Sequence, residues 1–357
     1  MTADITKLVR KNIQKLHPYQ SARRIGGQGD TWLNANESPI SVPFKARIEY
    51  FNRYPECQPN HLISSYADYA GVLDSQILVT RGADEGIELL IKAFCEPGED
   101  AIIYCPPTYD MYAINAKIAN IEIKEIPTLK NTWQIDLLNI NSNLDRVKLI
   151  YICNPNNPTG NIISKKDLKD LLKITLGRSF VVIDEAYIEF SPKNSMVNYL
   201  KKFPNLILLR TLSKAFALAG IRCGFTLAQE EVINVLNKVI SPYPISTLVT
   251  DIAMQSLEKK ALENMKNRVL QLNMNRVWLV NELKKNSYVK KIFDSHANYI
   301  LVEFYMFEKI FQNLWEKGII LRNQNHKNNL KNCLRISIGS NLECVHLVKE
   351  LKNLSKI

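Results

Sequence analysis

Short, unbroken apolar runs punctuate this chain: Ile77–Thr80, Ala101–Tyr104, Leu149–Cys153, Phe180–Asp184, Leu206–Leu209 and Gly224–Leu227; a further strand is read at Ile121–Ile126, between the second and third. A strand with one wet face would alternate polar and apolar residues. A run apolar at nearly every position fits a strand covered on both faces, as in a mainly parallel sheet. The segments between the runs read as helices. Ala83–Phe94 has acidic residues in its first turn and is stopped by Pro97-Gly98; Met111–Ala119 and Lys166–Leu176 follow the same logic. Strands alternating with helices predict an α/β fold whose large sheet is sandwiched by helices. In such sheets a ligand sits beyond the carboxyl ends of the strands.

After Gln229 the pattern changes. Helical segments near 230–240, 247–258 and 262–285 lead to short strands at Val289–Phe293 and Tyr299–Phe304. A helix near Phe307–Lys317, extended segments at Ile319–Arg322 and Cys333–Ile338 and a final helix complete an α+β pattern. The expected organisation is an N-terminal arm (1–35), a large domain (36–244) and a smaller C-terminal α+β domain (245–357). In the arm, Val9–Leu16 reads as a short helix broken by His17-Pro18. The Gly26-Gly-Gln-Gly29 cluster lacks the strand and helix that a dinucleotide-binding loop requires. Trp32–Glu37 reads as a short extended piece.

The net charge of +11 raises the question of nucleic acid, but the basic residues are scattered, with no dense basic run and no binding signature. A Lys- and Asn-rich surface explains the charge, and no nucleic-acid partner is expected. The seven cysteines form no CxxC pair and the five histidines no ligand spacing, so buried thiols in a reducing compartment are expected and a metal is not. No apolar run is long enough to span a bilayer. Met1–Lys7 lacks an apolar signal core. A cytoplasmic location follows as the expectation.

The polar residues at the strand ends carry the chemistry. Lys214 stands just beyond an apolar run, between Thr211, Ser213 and Arg222. It is either a solvated loop lysine or an amine held for covalent chemistry on a carbonyl beside a phosphate. Pyridoxal phosphate would need that amine, an anion against its ring nitrogen, donors to its phenolate oxygen and a phosphate cradle. Asp184 could be the anion, or else a helix cap or metal ligand. Tyr187 and Asn157 could reach the phenolate oxygen; otherwise Tyr187 is core and Asn157 a turn residue in Asn154-Pro-Asn-Asn-Pro-Thr-Gly160. Ala83 and Asp84 open a helix whose free N–H groups suit a phosphate. Thr211, Ser213 and Arg222 add hydroxyls and a guanidinium. Tyr109 could stack on the ring, with core packing as its alternative.

Together Asn156–Gly160, Asp184–Tyr187 and Ser213–Arg222 resemble the signature of fold-type I pyridoxal-phosphate aminotransferases. His17–Arg23, Leu33–Glu37, Arg53–Pro59, Arg81–Leu90, Cys105–Tyr109 and Gly318–Arg322 are similar to the histidinol-phosphate aminotransferases, from about residue 10 to 350. That resemblance implies pyridoxal 5'-phosphate as cofactor and amine exchange between L-histidinol phosphate and 2-oxoglutarate, giving imidazole-acetol phosphate and L-glutamate. It implies a homodimer in which the tyrosine at position 54 reaches the cofactor phosphate of the other subunit. It also implies that Tyr19 helps close the site and that Arg322 and Arg335 bind the anionic groups of the substrates. The loop 324–332, with Asn325-His-Lys-Asn-Asn329, and the basic surface depart from the family pattern. A phosphothreonine decarboxylase or an aromatic amino-acid aminotransferase of the same superfamily would share the cofactor residues.

Overall fold

The structure is a computed structural model that describes residues 5–45 and 51–354. Met1–Asp4 of the arm and the last three residues of the C-terminal segment lie outside the described residues. In chain order the elements are α1 (Lys11–Gln14), β1 (Thr31–Leu33), α2 (Asn60–Ala70), β2 (Ile77–Thr80), α3 (Gly82–Phe94), β3 (Ala101–Tyr104), α4 (Met111–Ala119) and β4 (Glu122–Glu125). Next come α5 (Leu137–Ser142), β5 (Val147–Cys153), α6 (Lys165–Ile174), β6 (Phe180–Asp184), β7 (Leu206–Thr211), β8 (Gly224–Leu227), α7 (Glu230–Leu236) and α8 (Thr247–Leu257). The chain finishes with α9 (Lys259–Leu283), β9 (Val289–Ile292), β10 (Tyr299–Phe304), α10 (Phe307–Glu316), β11 (Ile319–Asn323), β12 (Cys333–Ser337) and α11 (Asn341–Leu354).

The seven-stranded sheet has the order β2-β8-β7-β6-β5-β3-β4. Only β8 runs against its neighbours, pairing antiparallel with both β2 and β7. The unbroken apolar runs are these strands: every residue of β2, β3, β7 and β8 is buried. β4 differs. Its Glu-Ile-Lys-Glu sequence is largely charged and none of its residues is buried, as befits the sheet edge it forms. Each fully buried Leu, Ile or Val contributes roughly 1.5–3 kcal/mol, so the central strands are the stable frame on which the loops hang.

Local signals end the helices where the sheet needs them to. Ser164 caps α6 by accepting from the Asp167 N–H at 3.0 Å, and Leu168, Leu171 and Leu172 line its buried stripe. Asn120 closes α4 in the left-handed region (φ 62°), where an asparagine is tolerated, and returns the chain to β4.

The five-stranded sheet has the order β1-β11-β12-β10-β9. Its first strand comes from the arm: Thr31, Trp32 and Leu33 pair in parallel with Ile319, Ile320 and Leu321. The extended piece read from Trp32 is thus a strand of the smaller sheet. Gly29 permits the approach, since a Cβ there would lie 2.3 Å from Gly318. The residues after β1, Asn34–Glu37, run from this sheet to the strand ends of the other.

Candidate active site

At the carboxyl ends of β2, β5, β6 and β7 lies a cavity of about 540 Å³. Its walls include Tyr19, Ala83, Asp84, Tyr109, Asn157, Asp184, Tyr187, Thr211, Ser213, Lys214, Arg222, Arg322 and Arg335. All the expected site residues meet here except Tyr54. That side chain is 80% exposed, away from this cavity, and stacks on Tyr243 with ring centroids 4.3 Å apart.

Asp184 is the last residue of β6 and is buried. Its Oδ2 accepts the Tyr112 hydroxyl at 2.7 Å and its Oδ1 accepts the Ala186 N–H at 3.0 Å. Burial pushes the carboxyl up to about 6, against the pull of these two donors. The next residue, Glu185, projects away from the cavity. It pairs with Arg210 at 2.8 Å in the dry interior beside β7.

Tyr187 follows on the turn after β6. Its hydroxyl oxygen accepts from the side-chain amides of Asn36 at 3.1 Å and Asn157 at 3.3 Å, and burial raises its pKa. With both acceptor positions engaged, the phenolic proton is free for an oxygen in the cavity. Asn157 is held from its other side by Arg335, which donates to Oδ1 at 2.6 Å. The Asn154–Gly160 loop is thus a fixed platform, as its two prolines suggest.

Lys214 reaches into the cavity from the turn after β7. Its ammonium donates to the Ala35 carbonyl at 2.9 Å and lies 5.7 Å from the centre of the Tyr187 ring. Enclosure in the cavity walls, helped by the Arg335 charge, lowers its pKa to about 8. An amine whose pKa sits near neutrality supplies a useful fraction of nucleophile.

At one end the walls form an anion cradle. Thr211 donates its hydroxyl to Ser213 at 2.9 Å, and Arg222 reaches Ser213 at 3.2 Å and Asp84 at 3.3 Å. The Asp84 carboxylate is also bonded by Tyr109 at 2.9 Å. It is therefore the backbone N–H groups opening α3, together with the helix dipole, that face an anion here. Two glycines clear the space. A Cβ on Gly82 (φ +77°) would sit 2.7 Å from the Arg222 guanidinium, and one on Gly224 would sit 2.7 Å from the Ala83 nitrogen. The cradle, the enclosed lysine amine and the buried carboxylate suit a phosphorylated carbonyl compound with a basic ring nitrogen, so the residues fit pyridoxal phosphate.

At the opposite wall stand the two arginines of the smaller sheet, paired in register across β11 and β12. Arg322 donates to the Gln20 carbonyl at 2.8 Å, and Arg335 donates to the Asn34 carbonyl at 2.6 Å. The Nη1 of Arg322 and the Nε of Arg335 are buried without a hydrogen-bond partner among the described residues. Buried cationic donors left open beside a cavity are suited to an anionic guest.

Several contributors were not legible in advance. Tyr112, Asn36, the carbonyls of Asn34 and Ala35, His326 and Lys327 all take part, the first four through hydrogen bonds and the last two as cavity wall. Tyr112 carried only a faint signal, its place in the first turn of the helix that follows Tyr109. The others depend on contacts between distant parts of the chain. Among the described residues no cluster of His, Cys, Asp and Glu could hold a metal ion.

Residues 30–351 match the family Aminotransferase class I and II. A histidinol-phosphate aminotransferase of Buchnera aphidicola subsp. Schizaphis graminum (strain Sg) is 83% identical over 353 residues, covering 99% of both chains. The crystal structure of the histidinol-phosphate aminotransferase from Clostridium acetobutylicum superposes with a TM-score of 0.84 at 27% identity, over 91% of this chain and 98% of that one. The fold is also that of a histidinol-phosphate aminotransferase from Sinorhizobium meliloti in complex with pyridoxal-5'-phosphate, with a TM-score of 0.84 at 21% identity over 97% of this chain and 98% of that one. The chain belongs to the histidinol-phosphate aminotransferases, within the class I and II aminotransferases.

Proposed function

We propose that this chain exchanges an amine between L-glutamate and imidazole-acetol phosphate in histidine biosynthesis, forming L-histidinol phosphate and 2-oxoglutarate with pyridoxal 5'-phosphate bound in the cavity. The observation that carries the reading is the convergence of a low-pKa amine, a buried carboxylate and two partly unpaired arginines on one cavity. The cofactor supplies a carbonyl that takes up amines and a ring that withdraws electrons from the substrate carbon.

The chain's residues supply the rest. Ala83, Asp84, Thr211, Ser213 and Arg222 bind the phosphate, Asp84 through its backbone. Asp184, ionised once a cationic ring nitrogen lies beside it, keeps that nitrogen protonated. Tyr187 and Asn157 hydrogen-bond the ring oxygen, and Tyr109 covers a ring face. Lys214 holds the cofactor between turnovers and then moves a proton as general base and acid. Arg322 and Arg335 receive carboxylate from one substrate and phosphate from the other, because a guanidinium pairs with either. Tyr19 lies on the same wall from the arm and restricts water there.

The assembly is proposed to be a homodimer, in which Tyr54 of each subunit serves the phosphate cradle of its partner. Its exposure and distance from its own cavity support this. Each subunit is divided as arm 1–35, large domain 36–244 and small domain 245–357, and works in the cytoplasm. Among the described residues no helix is long and apolar enough to cross a membrane.

The test is borohydride reduction of purified protein followed by peptide mapping, together with an amine-exchange assay using glutamate and the imidazole keto-phosphate. Labelling at Lys214 that disappears in Lys214→Ala, with amine transfer, supports the reading. Equal labelling in the variant, or release of carbon dioxide in place of transfer, would overturn it.

A further inference from the structure

Residues 324–332 form the loop between β11 and β12. One side chain of this loop crosses to the other sheet. Lys327 donates to the Thr108 carbonyl and to Asp110 Oδ1, each at 2.6 Å. These two acceptors are the residues immediately before and after Tyr109. The lysine side chain is only 12% exposed, and its backbone is held by a turn in which the Lys327 N–H donates to the Gln324 carbonyl at 2.9 Å.

We infer that Lys327 is a positioning residue for the amine exchange: it holds the Thr108 carbonyl before Tyr109 and the Asp110 carboxylate after it, and thereby fixes that ring over the cofactor, tying ring placement to the strand that carries Arg322. This rests on the function proposed above and on Tyr109 covering the cofactor ring. The Tyr109 side chain is itself tethered through its hydroxyl, which donates to Asp84 Oδ1 at 2.9 Å. That bond fixes the far end of the ring, while Lys327 fixes its root. The fit has an electrostatic cost. Burial lowers the Lys327 pKa, and Arg335 and Arg322 push the same way, while Asp110 opposes them. A lysine kept only for surface charge would have no cause to enter such a site. Direct anion binding is the competing role, since Lys327 shares the cavity with Arg322, Arg335 and His326. Two of its three N–H donors, however, are already spent on the Thr108–Asp110 turn.

Lys327→Met keeps length and bulk and removes the donor; Lys327→Arg keeps the charge. Asp110→Ala cuts the same tie from the other side, so an unstable lysine variant does not end the test. The readouts are the visible circular dichroism of bound pyridoxal phosphate, urea midpoints, and kcat and KM for each half of the exchange. Expected are a loss of the dichroic band in Lys327→Met and Asp110→Ala, partial recovery in Lys327→Arg, and a kcat lowered about tenfold in both halves, as follows from a misplaced reacting group. An unchanged band and kcat in both Met and Ala variants would overturn the inference. So would a defect confined to the KM of the phosphorylated substrate, which marks direct anion contact. If the wild type binds the cofactor but transfers no amine to the imidazole keto-phosphate, the substrate reading fails; a dichroic band lost in both variants would still support Lys327.

Discussion

The phenol of Tyr112 donates to Asp184 Oδ2 at 2.7 Å with both side chains buried. The ring is itself clamped by a stack on Tyr151, centroids 4.8 Å apart, and by an edge contact to Tyr109 at 5.7 Å. The carboxylate proposed to face the cofactor nitrogen is therefore held from behind by an aromatic cluster.

Tyr112→Phe removes one donor and keeps the stack. Burial is the main cause that raises the Asp184 carboxyl, and the Tyr112 hydroxyl is the first that opposes it. Without that hydroxyl the carboxyl rises further above about 6, so the ionised form is reached only at higher pH. The acid limb of cofactor binding moves to higher pH, and affinity for the cofactor at neutral pH falls about tenfold, the weight of one hydrogen bond to a charged group. Cofactor titrations against pH on the variant and the parent check both.

Lys214 gives a second pH signature. In cofactor-free protein its pKa is lowered to about 8 by enclosure first and by Arg335 second. The rate of cofactor capture should rise with pH through about 8, following the free amine. Removing the cation with Arg335→Met moves that midpoint upward. The sign for stability follows from proton counting. Between the folded value and the ordinary lysine value the unfolded chain holds more protons, so this group makes the cofactor-free fold more stable as pH rises through that window. Stopped-flow absorbance and urea midpoints against pH measure the two effects.

Gly82→Ala should weaken cofactor binding more than it weakens the fold. The new Cβ meets the Arg222 guanidinium at 2.7 Å and the residue sits at φ +77°. The guanidinium must move out of the cradle, and a left-handed alanine adds roughly 1–2 kcal/mol of strain. Equilibrium dialysis of the phosphate-bearing cofactor should show a loss of about tenfold or more.

Arg210→Met tests the interior behind the site. The Arg210–Glu185 pair is dry on both sides (6% and 0% exposed), and the Ser195 hydroxyl accepts from Arg210 at 2.8 Å. The variant leaves Glu185 buried with no cation, which costs about 3–5 kcal/mol in comparable pairs. Urea unfolding at neutral pH reads this directly.

What could be read ahead of the structure was periodic or local. The unbroken apolar runs located the strands and their polar ends located the cavity, because strand direction places those ends together. The antiparallel insertion of β8 was not legible, since its apolar run looks the same in either direction. β1 was not legible as part of the smaller sheet, since its partner lies at Ile319–Leu321. Tyr112 and Lys327 escaped for the same reason. Neither residue type in its local setting announces a bond to Asp184 or to the turn around Tyr109.

The pairing of Thr31–Leu33 with Ile319–Leu321 has a consequence for the order of manufacture. A ribosome makes the first strand near the start and its partner near the end. Until then the Asn34 and Ala35 carbonyls and the Asn36 amide, which hold Arg335, Lys214 and Tyr187, have no sheet to anchor them. A nascent chain can fold its large sheet early, but the cavity closes only when the polypeptide is almost complete. A chain that ends before β11 thus carries the phosphate cradle without the wall that bears Arg322 and Arg335.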